Sequence, residues 1–250
     1  MSLESLQIEV VGAGRMGRAL VAALRHSGLD VPPPGLRGAR GEDAELVILA
    51  VTDAEIGAAA AAIEPGRVVA HLSGATTLEP LRPHERFGLH PLMTISGAEG
   101  DTPARFEGVY SAISASSERA QQIAVGLAER LGMVPFMIRD EDRPAYHAAA
   151  SIASNYLVTL EACAERLASS VGVPREALVP LVTATVQNWA LQGAERALTG
   201  PIARGDEATV ERQRAAVAVH LPEQLELFDA LALATRQLAD RAQHVPGEMM

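Results

Sequence analysis

The segment Leu6-Gln-Ile-Glu-Val-Val-Gly-Ala-Gly-Arg-Met-Gly17 decides the fold. Its first six residues, Leu6 to Val11, read as a β-strand. They run directly into Gly12, Ala13, Gly14, Arg15, Met16 and Gly17, a G-x-G-x-x-G turn. Behind the turn, Arg15 to His26 carries Met16, Ala19, Leu20, Ala23 and Leu24 at helical spacing, and Ser27-Gly28 stops the helix. A glycine trio alone is a weak signal, but one that leaves a strand and opens an amphipathic helix has the context of a dinucleotide site. Gly12 permits the tight turn, Gly14 lets the backbone approach a pyrophosphate, and Gly17 lets the helix pack on the strand. The unpaired N–H groups of the helix start then face the phosphates.

Outward from this turn, the first 140 residues alternate β-branched or leucine-rich runs with alanine-rich helical stretches, the pattern of a parallel sheet wrapped by helices. Leu46 to Val51, Val68 to Leu72, Phe87 to Leu89, Val109 to Ser114 and Val134 to Ile138 read as further strands. Val31-Pro-Pro-Pro-Gly35 is a stiff segment where the second strand of such a sheet belongs. From about Asp142 the strand signals end and helical periodicity takes over, broken at Gly172-Val-Pro174, Thr199-Gly-Pro201, Gly205 and Leu221-Pro222. The expected fold is α/β: an N-terminal Rossmann domain at 1–140 with a doubly wound, mostly parallel sheet, followed by an all-α domain at 141–250.

Composition narrows the chemistry. The formal net charge is −10, and no basic run exceeds Arg-x-Arg, so a nucleic-acid partner is not expected. No apolar run approaches the roughly 20 residues of a membrane span. The one cysteine, Cys163, has no internal partner, and the N-terminus enters a strand without a leader-like pattern, which together point to the cytoplasm. All 21 basic residues are arginine, so neither a Schiff base nor a lysine acid is available. Nothing has metal-ligand spacing, and no metal is expected. His84 and His220 have no evident partners, and Glu207, Glu211 and Glu223 read as solvated helix faces.

Cofactor choice depends on the end of strand two, where an acidic side chain binds a ribose 2′-hydroxyl and an arginine accepts a 2′-phosphate. Asp30 comes too early. Leu36-Arg37-Gly38-Ala39-Arg40 occupies the expected place, so Arg37 and Arg40 favour NADP(H) over NAD(H). His147, Ser151 and Asn155, four and four apart, form a polar stripe on a predicted helix that opens the second domain. The cleft beside a nucleotide-binding domain is a preferred ligand site. His71 and Ser73 end a strand at the carboxyl edge of the sheet, where a nicotinamide would lie, and a core or turn-capping role is the equal alternative for His71. Arg204 has two readings, a clamp on a substrate carboxylate and an ion pair to Asp206 or Glu207.

The glycine turn, Leu49-Ala-Val-Thr-Asp53, His71-Leu-Ser-Gly74, Leu89-His-Pro-Leu92, Tyr146-His-Ala-Ala-Ala-Ser-Ile-Ala-Ser-Asn-Tyr156 and Leu198-Thr-Gly-Pro-Ile-Ala-Arg-Gly-Asp206 together carry a resemblance. The chain resembles the Rossmann-like plus DUF2520 group of oxidoreductases, a branch of the 6-phosphogluconate dehydrogenase-like superfamily that includes the alternative type of ketopantoate reductase. That resemblance implies cofactor contacts at Val51, Thr52, Ser73 and Gly74 beside the glycine turn, and substrate contacts at Thr199 and Arg204. In the superfamily the interdomain helix carries a lysine followed four residues later by asparagine. Ser151 and Asn155 match those positions by order, and the lysine is missing. The proton for a carbonyl oxygen then falls to histidine, the commonest acid near neutral pH, with His147 and His90 as the candidates. Ser151 and Asn155 would hydrogen-bond the substrate oxygen while the nicotinamide supplies hydride. The implied activity is NADPH-dependent reduction of a small carboxylate-bearing carbonyl compound, with ketopantoate as the family's suggestion. Two other readings stay open: an imine reductase resembling pyrroline-5-carboxylate reductase, and a non-catalytic NADP(H) sensor or scaffold. A homodimer through the helical domain is expected from the same resemblance.

Overall fold

Leu46–Leu49 and Val68–His71 are buried at every position, as the middle strands of a sheet covered on both faces must be. The computed structural model, which describes residues 3–95 and 105–243, builds six strands around them. These are β1 (Ile8–Val11), β2 (Leu46–Leu49), β3 (Val68–His71), β4 (Glu85–Pro91), β5 (Tyr110–Ala115) and β6 (Val134–Met137). They lie side by side in chain order, all parallel except the β4–β5 pair. The mostly parallel Rossmann-like sheet and the helical C-terminal part agree with the expectation.

Alternation along the strands divides the core into two layers. Val10, Leu46, Ile48, Val68 and Ala70 point to one face, which receives Leu20, Val21 and Leu24 of α1 (Arg15–His26) and Ile123, Ala124 and Leu127 of α3 (Glu118–Arg130). Val11, Val47, Leu49 and Val69 point to the other, covered by Ile56 and Ala60 of α2 (Ile56–Ala62). Truncating Leu24 or Leu127, both fully buried, to alanine would cost on the order of 2–5 kcal/mol.

One expected element is reduced to almost nothing. Where a second strand was anticipated, only Gly35 pairs with β1: its N–H donates to the Val10 carbonyl (2.7 Å) and its carbonyl accepts from Gly12 N–H (2.9 Å). Pro32, Pro33 and Pro34 have no N–H to give a ladder, so pairing starts only after them. The bridge lies on the opposite edge of β1 from β2, because Val11 O accepts from Ala50 N (2.7 Å) on that side. The chain therefore reverses direction across the sheet at β1. Strand β4 is longer than the expected Phe87–Leu89, since Glu85 and Arg86 extend the parallel pairing with β3 and His90 and Pro91 gain antiparallel partners in β5.

The chain divides into two compact units, Met1–Ala153 and Ser154–Met250. The first includes α4 (Arg143–Ser151), tied to the sheet by the fully buried Arg143. A π-helical turn, Ile152–Tyr156, spans the division. The second unit holds α5 (Leu157–Ser170), α6 (Val179–Gln192), the short α7 (Ala194–Ala197), α8 (Glu207–His220) and α9 (Leu225–Gln243). Asp206 caps α8 by accepting from Thr209 N–H (3.0 Å), and Arg214 binds Asp229 through two nitrogens at 2.8 Å, joining α8 to α9. Among the described residues no helix is long and apolar enough to cross a membrane.

Candidate functional site

The glycine turn leaves β1 at the point where the chain reverses across the sheet, the crevice where open α/β sheets bind ligands. Gly12 has φ +116°, and a side chain there would come within 2.4 Å of the Ala50 carbonyl oxygen. At Gly17 a Cβ would meet the Gly12 carbonyl oxygen at 1.8 Å, so only glycine lets α1 approach β1 this closely. Gly14 faces open space. It is also the residue before α1, whose first turn no side chain caps, so its N–H groups are available to an anion. A cavity of about 450 Å³ opens over this turn, lined among others by Gly12, Gly14, Arg37, Val51, Thr52 and Ala59. A dinucleotide fits these features: a side-chain-free approach, uncapped N–H groups and an adjoining cleft.

The two arginines expected to act together are separated. Arg37 lines this cavity and is paired with Glu55, which also accepts from Thr52 Oγ1 (2.9 Å). The Thr52 hydroxyl and then the Arg37 charge hold the Glu55 carboxyl below its ordinary range. Arg40 instead lines a neighbouring cavity with Glu9, Glu42 and Asp43, and pairs with Glu64 at 3.2 Å. Arg15 reaches away to the Ile95 carbonyl (2.9 Å).

A polar cluster stands at the carboxyl ends of β3 and β4. Ser73 Oγ donates to Asp53 (2.8 Å) and accepts from the Thr76 and Ala75 N–H groups (2.9 and 3.2 Å), which exhausts a hydroxyl. Ser73 can therefore meet a cofactor only through its backbone. Gly74 packs against two imidazoles: a Cβ would lie 2.4 Å from His147 Cδ2 and 3.0 Å from His90 Nε2. The His90 and His147 rings meet edge-on with centroids 5.9 Å apart, so the structure brings together the two histidines singled out in the sequence. His90 Nδ1 lies 2.7 Å from the Tyr146 hydroxyl. Burial, then His147 and Arg143, lower the His90 pKa to about 4 against the opposing pull of Asp53. His71 is fully buried under the cluster, with Nε2 at 3.3 Å from the Thr77 carbonyl. Burial and Arg143 lower its pKa to about 4 as well.

Two members of this cluster were not anticipated. Arg143 is 0% exposed; its Nη1 donates to the Ser73 carbonyl (2.8 Å), its Nε to Ser114 Oγ (3.1 Å), and Asp140 stands 3.4 Å away. Its Nη2 crosses Gly88, where a Cβ would sit 2.2 Å from it. A glycine inside a strand signals such a close approach, and Gly88 was the available clue. Tyr146 had no signal beyond its place next to His147. His84, without a partner in sequence, is buried with Nε2 at 3.1 Å from the Ala60 carbonyl.

The remaining expected residues follow along the chain. Ser151 ends α4 half-buried, and Asn155 lies exposed in the π-helical turn, so the anticipated straight α-helical spacing from Ser151 to Asn155 is broken by an i→i+5 turn. In the second unit, Thr199 and Arg204 are exposed around the positive-φ Gly200. Glu207 is bound to Arg236 (2.6 Å), whereas Asp206, bound first to Thr209, also feels the charge of Arg204, which helps hold its carboxyl below the ordinary range. Glu223 likewise pairs with Arg166 at the surface. Among the described residues no group of His, Cys, Asp and Glu could hold a metal ion.

Comparison with known proteins agrees with this architecture. A Bacteroides fragilis protein named as an NADP oxidoreductase is 20% identical, with 94% of this chain and all of that one covered at a TM-score of 0.78. A Thermotoga maritima protein is 24% identical over 95% of this chain and all of its own, at 0.76. A reductive aminase from Aspergillus terreus, solved with NADPH and ethyl levulinate, is 16% identical over 96% of this chain and 99% of its own, at 0.64. No curated protein matches the chain by sequence. The family model described as a domain of unknown function, DUF2520, matches residues 109–235, just over half of the 250, and the chain belongs to that family.

Proposed function

We propose that the protein is an NADP(H)-dependent reductase. The observation that carries this reading is the glycine turn, held by two positions that tolerate no side chain and opening onto a cavity at the reversal point of the sheet. Gly12, Ala13, Gly14, Arg15, Met16 and Gly17 would surround the pyrophosphate, Val51 and Thr52 the adjoining ribose, and the backbone of Ser73 and Gly74 the nicotinamide end. The bound nicotinamide supplies hydride. Arg37 would receive the 2′-phosphate by exchanging its partner Glu55. An exposed ion pair is worth about 0–1 kcal/mol, so a phosphate dianion displaces it readily. Arg40, in the neighbouring cavity, would contribute longer-range attraction. The names of the Bacteroides fragilis and Aspergillus terreus proteins support the same cofactor.

The reacting substrate is a small carboxylate-bearing carbonyl compound, with ketopantoate the first to try. His90 and His147 would face its oxygen and Ser151 would orient it; Asn155, Thr199 and Arg204 are proposed as substrate contacts on the family resemblance alone. The domain 1–140 would then carry the cofactor, and 141–250 the substrate contacts and the dimer surface. An imine is the second reading, favoured by the likeness to a reductive aminase and by the absence of lysine, since a protonated imine brings its own proton. Steady-state NADPH consumption with ketopantoate, with pyrroline-5-carboxylate, and with neither separates these. Turnover with neither leaves only the sensor or scaffold reading. For the cofactor, Arg37→Ala is expected to weaken NADPH at least tenfold while leaving NADH within twofold. Equal losses for both would remove Arg37 from the 2′-phosphate.

A further inference from the structure

The contact between His90 and Tyr146 bears on the proton that a lysine-free chain must find elsewhere, and the inference rests on the reductase reading above. Nδ1 of His90 and the hydroxyl of Tyr146 are 2.7 Å apart, with their rings edge-on at 5.5 Å between centroids. Tyr146 is held from another side by the edge of Phe136 in β6 (6.0 Å). Burial raises the Tyr146 pKa above its ordinary value, and the charge of the buried Arg143 one helical turn back offsets part of that rise. A neutral imidazole has one N–H and one lone pair. A phenol is the stronger acid of the two groups and an imidazole nitrogen the stronger base, so the O–H points at the nitrogen.

We infer that Tyr146 donates to Nδ1 of His90, that this fixes His90 as the Nε2–H tautomer, and that the pair delivers the proton of the reduction. The carbonyl carbon takes hydride from the reduced nicotinamide dinucleotide, and the C=O π pair collects on oxygen. That oxygen takes the Nε2 proton, and the N–H bonding pair stays on the nitrogen. Nδ1 then takes the Tyr146 proton, and the O–H pair stays on the phenol oxygen. The imidazole begins and ends neutral with its tautomer exchanged; after product leaves, Nδ1–H returns its proton to the phenolate as Nε2 takes one from water, which restores the Nε2–H form. Such a relay suits a histidine whose imidazolium form is scarce at neutral pH. The groups that face it, Asp53, His147, Arg143 and Tyr146, include two cationic or basic neighbours. Gly74, beside Nε2, is the position that lets both rings reach the sheet edge.

Nitrogen NMR of imidazole-labelled wild-type protein at pH 7 reads the tautomer directly. The Nε2–H form is expected, with the Nδ1 signal moving in Tyr146→Phe, a change that keeps the ring and its contact with Phe136. An Nδ1–H form in the wild type overturns the relay. In single-turnover NADPH oxidation with saturating substrate, Tyr146→Phe is expected to slow the step by about 100-fold with the Kd for NADPH within twofold. Equal rates overturn the relay and leave the reductase reading standing. A wild type that binds NADPH yet reduces neither the carbonyl nor the imine substrate overturns both.

Discussion

His71 and His90 show how burial sets chemistry at a single residue. Each imidazole is held at about 4, first by burial, and in both cases Arg143 adds to the effect. An unfolded chain returns them to about 6.5, so between pH 6.5 and 4 the unfolded state binds more protons than the folded one. Stability contributed by these neutral rings is therefore complete above pH 6.5, declines as the pH falls toward 4, and declines no further from this source below it. Urea unfolding at pH 7 and pH 5 is expected to give a lower midpoint at pH 5, reflecting a loss of unfolding free energy on the order of a few kcal/mol. Equal midpoints would refute the buried neutral state. The same residues mark the limit of what sequence reveals. His90 and His147 could be picked out by position, and Gly12 and Gly17 by spacing, because a glycine needed for geometry leaves a periodic signature. Arg143 could not be picked out from its own surroundings, because arginine is almost never fully buried; its one trace is Gly88, on the strand it crosses.

At the level of elements, β-branched and leucine-rich runs located the six strands among the described residues, and Pro32 to Pro34 warned of the one that failed to form. The π-helical turn Ile152–Tyr156 left no such trace, since Ile, Ala, Ser, Asn and Tyr all accept ordinary α-helix. A π turn amounts to one residue more than an α-helix of the same span, and such bulges are frequent at functional sites. Its retention here is accounted for if the extra residue sets the direction of Asn155 relative to Ser151 for substrate binding. Deleting Ala153 restores α-helical spacing, leaves the helices on either side nearly in phase, and moves Asn155 from four to three residues after Ser151. The variant is expected to melt at or above the wild-type temperature and to bind NADPH within twofold, since the glycine turn is untouched, while losing substrate turnover by more than tenfold. Normal turnover in the deletion would mean the turn has no catalytic purpose.

For the molecule as a whole, the imbalance between the two units matters most. The first has a core on each face of its sheet. In the second, the apolar residues buried among those described are Val210, Val217, Leu221, Ala232 and Ala239, two of them alanines. Helix α6 has no buried residue, although it carries Val179, Leu181, Val186, Trp189 and Leu191, and Leu191 is 81% exposed. Surface arginine–carboxylate pairs such as Arg166–Glu223 add little in water, so they do not replace a core. Monomers rarely leave a contiguous apolar surface of more than a few hundred Å² in water, and a unit this thinly buried gains the missing burial most simply from a second copy of itself. Sedimentation at micromolar concentration is expected to give a dimer. Leu181→Arg combined with Leu191→Arg should give a monomer whose helical signal melts well below that of the wild type, with NADPH binding by the first unit retained. A wild type that sediments as a monomer, or a double variant that remains a dimer, would show that α6 meets something other than its own copy.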